Sequence, residues 1–376
     1  MKFGIFDHIE RRDDVELAQQ YEERLQLMEQ ADEAGIYSYH IAQHHHSPLC
    51  LAPNQSVLLA AAAQRTKRMR FGPLVYILPL HNPIRLIEEV CMVDQLSSGR
   101  LDMGVGPGTG GGTELAMWGE NPDNNFQRFE ETLGILRTGL QSEFLTYHGE
   151  VFNVQDLWME LRPKQTPHPP LWWAGSPESA AKHAANFIAN GPINMIARLS
   201  ATYLEAWEKE RPNDAANVYR HDNPLHGGTR RILICDSEEE ARERGIAAYE
   251  SYLSHFAKPA PDNGDAPEGA AGAFNEVVRQ SDWFKQQQLP REPEPDANRV
   301  RTMNVTPEQA IDVEALLVGT ADSVRQYVER YVEESGANYF VGSFQWGDLT
   351  HEEATKSLRL FSDHVMPDFV DVPVTA

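Results

Sequence analysis

The chain has 376 residues, with 33 Lys and Arg against 56 Asp and Glu, a net charge of −23. So acidic a surface repels phosphate backbones and anionic lipids, which argues against nucleic acid and membrane partners. No apolar run approaches the roughly 20 residues needed to span a bilayer.

Lys2–Phe6 reads as a first strand, starting too early to leave room for a signal peptide. Val15–Ala34 carries Leu17, Tyr21, Leu25, Met28 and Ala31 at helical spacing and stops at Gly35. Ile36–Ala42 is the second strand, Val57–Gln64 the second helix and Arg70–Leu78 the third strand. Pro83–Leu96 is a helix with proline in its first turn and Gly99 beyond it. Leu101–Val105 is the fourth strand; after a glycine-rich loop come a helix over Phe126–Leu140 and a small hairpin over Glu143–Asn153. Leu171–Ala174 is strand five, Pro177–Asn190 its helix, Ile193–Ile196 strand six and Ser200–Glu210 the next helix. Thr229–Cys235 is strand seven, followed by a helix over Glu238–Phe256. Asn338–Ser343 is strand eight, and His351–Val365 closes the chain. Eight strands alternating with helices favour one α/β domain, a (β/α)8 TIM barrel over 1–376. The Pro-, Gly- and Asp-rich stretch 258–307 falls between strands seven and eight, where it reads as a mobile active-site insertion or lid.

Cys50, Cys91 and Cys235 lie far apart without metal spacing and read as reduced, packed thiols of a cytoplasmic protein. The run Gln43-His44-His45-His46 ends strand two. Imidazoles there can do proton chemistry, bind metal or line a polar mouth. A metal needs converging ligands, and consecutive residues of an extended chain point to opposite faces, so no metal site is expected. Gly104-Val-Gly-Pro-Gly-Thr-Gly-Gly-Gly112 follows strand four. It lacks the spacing of a dinucleotide fingerprint and the lysine of a phosphate-binding loop, and reads as a loop near a ligand or a tight turn. Ser176, before Pro177, Glu178 and Ser179, starts a helix. It suits either a phosphate site or a simple N-cap.

These stretches together resemble the luciferase-like flavin monooxygenases, which include bacterial luciferase and two-component enzymes that use reduced FMN. The resemblance rests on Lys2–Phe6, Ala34-Gly-Ile36, Gln43-His-His45, Ile77-Leu-Pro79 with His81-Asn-Pro83, Val93-Asp-Gln-Leu-Ser-Ser-Gly-Arg-Leu101 and Gly104-Val-Gly106. It implies a barrel with isoalloxazine at the C-terminal mouth. His44 would be the active-site histidine that supports formation or breakdown of the flavin C4a-hydroperoxide. Leu74-Val75 would be the strand-three position where relatives carry a non-prolyl cis peptide against the flavin. Gly106 would face the flavin, and Ser176 and Ser179 would bind the FMN phosphate. Two departures stand out. Gln43 replaces a glutamate, and Pro107 stands where luciferase has a phosphate-binding arginine.

The function so implied is oxygenation of a small apolar organic substrate with O2 and reduced FMN, the flavin being supplied by a separate reductase. His45, His46, Tyr76, His81, Trp118 and Trp346 are candidates for the substrate pocket, and the resemblance implies a homodimer. Two alternatives remain at this point: a deazaflavin-dependent oxidoreductase of the same superfamily, and a non-catalytic flavin-binding protein.

Overall fold

The computed structural model describes residues 1–108, 114, 115, 118–210, 223–257 and 306–370. In chain order the strands are β1 (Lys2–Asp7), β2 (Ser38–Ile41), β3 (Arg70–Pro73), β4 (Tyr76–Ile77), β5 (Met103–Gly106), β6 (Phe144–His148), β7 (Asn153–Trp158), β8 (Leu171–Ala174), β9 (Asn186–Ala189), β10 (His226–Ile234), β11 (Leu316–Gly319) and β12 (Tyr339–Ser343). The helices among the described residues are α1 (Leu17–Glu33), α2 (Gln55–Arg65), α3 (Pro83–Leu96), α4 (Asn125–Gly139), α5 (Pro177–Lys182), α6 (Ile193–Glu210), α7 (Glu238–Ala257), α8 (Pro307–Asp312), α9 (Ala321–Ser335) and α10 (His351–His364).

The main sheet runs β3-β2-β1-β12-β10-β9-β8-β5-β4. Because β3 and β4 are consecutive halves of one stave, the nine segments close into eight staves, as expected for a (β/α)8 barrel. Between the halves lies a cis peptide, Leu74-Val75, so the strand expected over Arg70–Leu78 is broken there and ends in a 3-10 turn at Leu78–Leu80. β6 and β7 form the separate antiparallel hairpin.

Two expectations need correction. Ile193–Ile196 is the first turn of α6, and stave six is Asn186–Ala189. The stretch Pro177–Asn190 therefore holds a six-residue helix and a strand, separated at Ala184, whose φ of 53° interrupts the helix. β11 and α9, which the sequence reading passes over, lie between strands seven and eight. β11 pairs only with the far part of β10, outside the ring. The expected insertion 258–307 lies outside the described residues, apart from Thr306, which caps α8, and Pro307.

Alternation along each stave sorts the side chains. Phe3, Ile5, Tyr39, Phe71, Met103, Val105 and Phe340 pack outward under the helices. Leu74, Trp172, Ile188, Tyr339 and Val341 form a separate inner cluster with Phe6 and Val75 against it. Trp172 and Tyr339 plug the barrel. A Cβ at Gly4 would lie 1.9 Å from the Tyr339 hydroxyl, so glycine there makes room for the plug. Below it, buried Asp102 accepts hydrogen bonds from Arg70 Nε at 2.8 Å and Ser38 Oγ at 2.9 Å. The interior is therefore filled on its N-terminal side, which leaves the C-terminal mouth for a ligand.

The Asp94–Arg100 signature lies at the closed end. Arg100 donates to the carbonyls of Ala63, Thr66 and Met69 and to Thr66 Oγ1, satisfying orphan acceptors at the end of α2. Asp94 accepts from the backbone and side chain of Gln165.

Candidate active site

At the mouth, the chain leaving β2 carries the histidine run. Gln43 is 4% exposed and organises it. The backbone N–H of Ile77 donates to Gln43 Oε1 at 2.7 Å, which fixes which end of the amide is oxygen. Gln43 Nε2 then faces His45 Nε2 at 2.7 Å and donates to it, so the His45 proton sits on Nδ1. His81 Nε2 lies 3.3 Å from the same Gln43 oxygen and donates to it.

Burial, with each neighbour's positive charge as a smaller cause, pushes the imidazoles down. His44 falls to about 4, with His45 as its neighbour. His45 falls to about 4 beside His46, and His81 to about 4 beside His45. At neutral pH all three are uncharged hydrogen-bonding rings and not imidazolium acids. Glu114 behaves oppositely: burial raises it to about 7, against a hydrogen bond from the His45 N–H at 3.3 Å. Glu114 lies just past the glycine-rich loop and belongs to no motif that would mark it in the sequence.

The expected pocket residues scatter. Trp118 is 47% exposed and meets His45 edge-on, with centroids 5.0 Å apart. His46 sits exposed on the rim with φ at 53°. Tyr76 points out of the barrel, where its hydroxyl lies 2.9 Å from Ser56 Oγ on α2. Trp346 packs behind the wall with Leu233 and Tyr249, donating to the Ile232 carbonyl at 3.3 Å. Leu74 is buried, Val75 half-buried, and Gly106 lies against them. A Cβ on Gly106 would come within 2.8 Å of Val75 Cγ2, so glycine lets β5 approach β4 there.

Ser176 accepts the Ser179 N–H at 3.2 Å and donates to Glu178 Oε2 at 2.6 Å. It is thus an N-cap with a carboxylate on its hydroxyl, the bland reading of that motif. A phosphate there requires Glu178 to turn away.

Across the mouth lie residues with no motif. His8, buried after β1, stacks on His44 with centroids 5.8 Å apart and planes 16° apart. Burial, Arg231 and His44 hold it well below the ordinary imidazole range. The guanidinium of Arg231, on β10, lies 3.5 Å above the Tyr252 ring, and its buried Nε has no hydrogen-bond partner. Among the described residues no cluster of His, Cys, Asp and Glu could hold a metal ion.

The donor set suits a flat heteroaromatic group with a polar edge. Leu74, Val75 and Phe6 offer apolar surface, Gly106 permits backbone approach, and neutral imidazoles offer both donors and acceptors. The fold is that of a (β/α)8-barrel protein, with a cluster of buried polar groups at the C-terminal mouth. Residues 1–339 match the family described as luciferase-like monooxygenase, and the chain belongs to that family. It is an oxidoreductase of the monooxygenase class.

One relative spans nearly the whole length and others about two thirds of it. An uncharacterized protein, y4wF, of Sinorhizobium fredii is 34% identical over 93% of this chain and 92% of its own. The oxygenase component of the flavin-dependent trigonelline monooxygenase of Acinetobacter baylyi is 28% identical over 64% and 67%. Among solved structures, the oxygenating constituent of 3,6-diketocamphane monooxygenase from Pseudomonas putida, in complex with FMN, superposes with a TM-score of 0.74 at 19% identity, covering 100% and 99%. The coenzyme F420 dependent tetrahydromethanopterin reductase of Methanopyrus kandleri superposes at 0.63 with 17% identity, covering 98% and 99%. At these identities both structures speak to fold. No helix among the described residues is long and apolar enough to cross a membrane.

Proposed function

We propose that this chain is the oxygenase component of a two-component monooxygenase. It takes reduced FMN from a separate flavin reductase and, with O2, oxygenates a small organic substrate. The observation that carries this reading is the cluster of neutral imidazoles tied by Gln43 beside the Leu74–Val75 wall and Gly106. Such a wall places apolar surface and uncharged donors together, which suits a ring that must be oriented and kept from water.

When bound, reduced flavin supplies the electrons that activate O2. The protein's share is positional. Leu74, Val75 and Gly106 would bear on the ring face. His44, neutral, would hold a hydrogen bond at the reacting edge and exchange a proton there. Ser176 and Ser179 would hold the phosphate once Glu178 is displaced. Pro107 supplies no cation, which suits a cofactor that exchanges readily, as delivery by a reductase demands.

The test mixes the full chain with photoreduced FMN and oxygenated buffer in a stopped-flow cell. We expect an absorbance transient distinct from reduced and oxidised FMN that outlasts oxidation of free reduced FMN. Oxidation at the free rate would refute the reading. A deazaflavin enzyme of the same fold consumes no oxygen in its turnover, so the same measurement separates that alternative.

The homodimer belongs to this proposal as well. Val57 on α2 and Met92 and Leu96 on α3 are 68%, 55% and 49% exposed. Large apolar side chains on neighbouring helices fit a subunit interface. Met92→Glu with Val57→Glu should shift the sedimentation coefficient to that of the monomer; a wild-type monomer would rule the dimer out.

A further inference from the structure

The flavin reading leaves one charged group of the mouth without a task. Arg231 is half-buried on β10, inside the barrel, while its neighbour Arg230 points outward to the Tyr327 hydroxyl at 2.6 Å. A guanidinium is charged at every accessible pH, and taking it from water without a counter-ion is costly. Here the buried Nε has no hydrogen-bond partner. Among the described residues no carboxylate pairs with it. The nearby Glu10 accepts from the Gly347 N–H at 2.7 Å and pairs with His255 Nδ1 at 3.1 Å. Stacking at 3.5 Å on Tyr252 fixes the group, and none of the described residues neutralises it.

Its position separates it from the flavin residues. In the strand order β10 is four staves from the β3–β4 stave in either direction. Arg231 therefore stands directly across the mouth from Leu74 and Val75. Gly106 ends β5 and Ser176 follows β8, on one arc between these two poles. His8, stacked on His44 and tilted against Tyr252, belongs to the other arc. A ring held against Leu74, Val75 and Gly106 thus faces Arg231 across the space where a substrate must lie.

We propose that Arg231 is the anion-recognition residue of the substrate site, and that the substrate is an organic acid whose carboxylate docks on this guanidinium beside Tyr252. This rests on the flavin reading for the direction in which the substrate is presented, and it narrows the substrate from an apolar molecule to an apolar body bearing an acid group. Phe6 and Val75 face the apolar body, and His8, uncharged, can donate or accept beside the carboxylate. In a chain of net charge −23, a cation at the mouth that no described residue neutralises both overcomes the general repulsion of acids and selects among ligands.

The test titrates the full chain calorimetrically with acids of graded size, namely formate, acetate, hexanoate, cyclohexanecarboxylate and benzoate, each against its primary amide. A charge-assisted contact predicts that at least one acid binds roughly tenfold to a hundredfold more tightly than its amide. The preference should fall to within about twofold in Arg231→Gln and partly survive in Arg231→Lys, because lysine keeps the charge but loses the fork. Circular dichroism and thermal unfolding establish that both variants fold. The proposal is overturned if no acid outbinds its amide, or if the preference persists in Arg231→Gln. Anaerobic titration with reduced FMN separates the two readings. Unchanged FMN affinity in Arg231→Gln is expected. If FMN affinity falls together with the acid preference, the arginine serves the cofactor and the substrate assignment is wrong. A wild-type chain that prefers acids but does not bind reduced FMN would remove the flavin reading and leave the anion site standing.

Discussion

Burial holds His44 and His45 near 4, so at neutral pH each carries one N–H and one lone pair. His44 therefore acts by hydrogen bonding and proton exchange in its neutral form. His44→Ala should lower product formed per reduced FMN consumed, with hydrogen peroxide making up the difference; removal of a positioned acid or base costs roughly a hundredfold or more. Unchanged product yield would remove His44 from the mechanism. The pH profile carries a second prediction. With these imidazoles near 4, no inflection should come from them between pH 5.5 and 8. Glu114, held up at about 7, loses its proton in that window. An inflection near 7 in kcat should thus belong to Glu114 and vanish in Glu114→Gln; its survival in that variant would assign it elsewhere. The histidine run was legible as a motif, whereas its organisation was not. Gln43 is tied to Ile77 and His81, 34 and 38 residues away, and only the fold brings them together. Arg231 was illegible for another reason. Beside Arg230 it looks like surface charge, and only strand alternation sends one arginine out and the other in.

Elements show where pattern and structure part. Pro83–Leu96 was readable to the residue because Asn82 accepts from the Ile84 and Arg85 N–H groups and Pro83 opens the first turn. Stave six was missed because Ala180, Ala181, Ala184 and Ala185 extend the helix pattern past the point where Ala184 breaks it. β11 and α9 are hard to read because the Pro-, Gly- and Asp-rich composition of 258–307 interrupts the alternation of strand and helix before them. Yet Val324, Tyr327, Val328 and Tyr331 keep helical spacing and are all buried. The most family-specific motif proved to be scaffolding. Arg100 ties the end of α2 to the loop before β3 through four acceptors at the closed end of the barrel. Arg100→Met should cost about 2–4 kcal/mol in urea unfolding, since it strands buried carbonyls as well as losing charged hydrogen bonds. Reduced-FMN affinity of the folded fraction should stay within about twofold. An affinity loss without a stability loss would mean that the motif reaches the site.

On the scale of the whole molecule, two electrostatic effects predict opposite responses to acid. A net charge of −23 with an isoelectric point near 5.0 means that lowering the pH from 7 relieves self-repulsion, which by itself stabilises the folded state. The buried imidazoles act the other way. His40 is pushed to about 3, and His44, His45, His81 and His226 to about 4, by burial in each case. In the unfolded chain they titrate near 6.5. Between those values the unfolded state binds protons that the folded state refuses. Their contribution is fully present above pH 6.5 and is lost as the pH falls through the folded values. Glu114 has the reverse sign, its contribution being present below the unfolded carboxylate range and lost as the pH rises to about 7. Two raised carboxyls, Glu114 and Asp102, stand against these five imidazoles and the likewise lowered His8, His183 and His351, each worth at most about 1.4 kcal/mol per pH unit. The imidazoles should dominate, so the urea midpoint should fall steadily from pH 7 to pH 4.5 although the net charge approaches zero. His40 plugs the barrel beside Trp172 and Tyr339, away from the mouth. Its replacement in His40→Gln should flatten that slope even if it lowers the midpoint at pH 7. A midpoint that rises toward the isoelectric point would show that surface repulsion, and not the buried rings, governs the stability of this barrel.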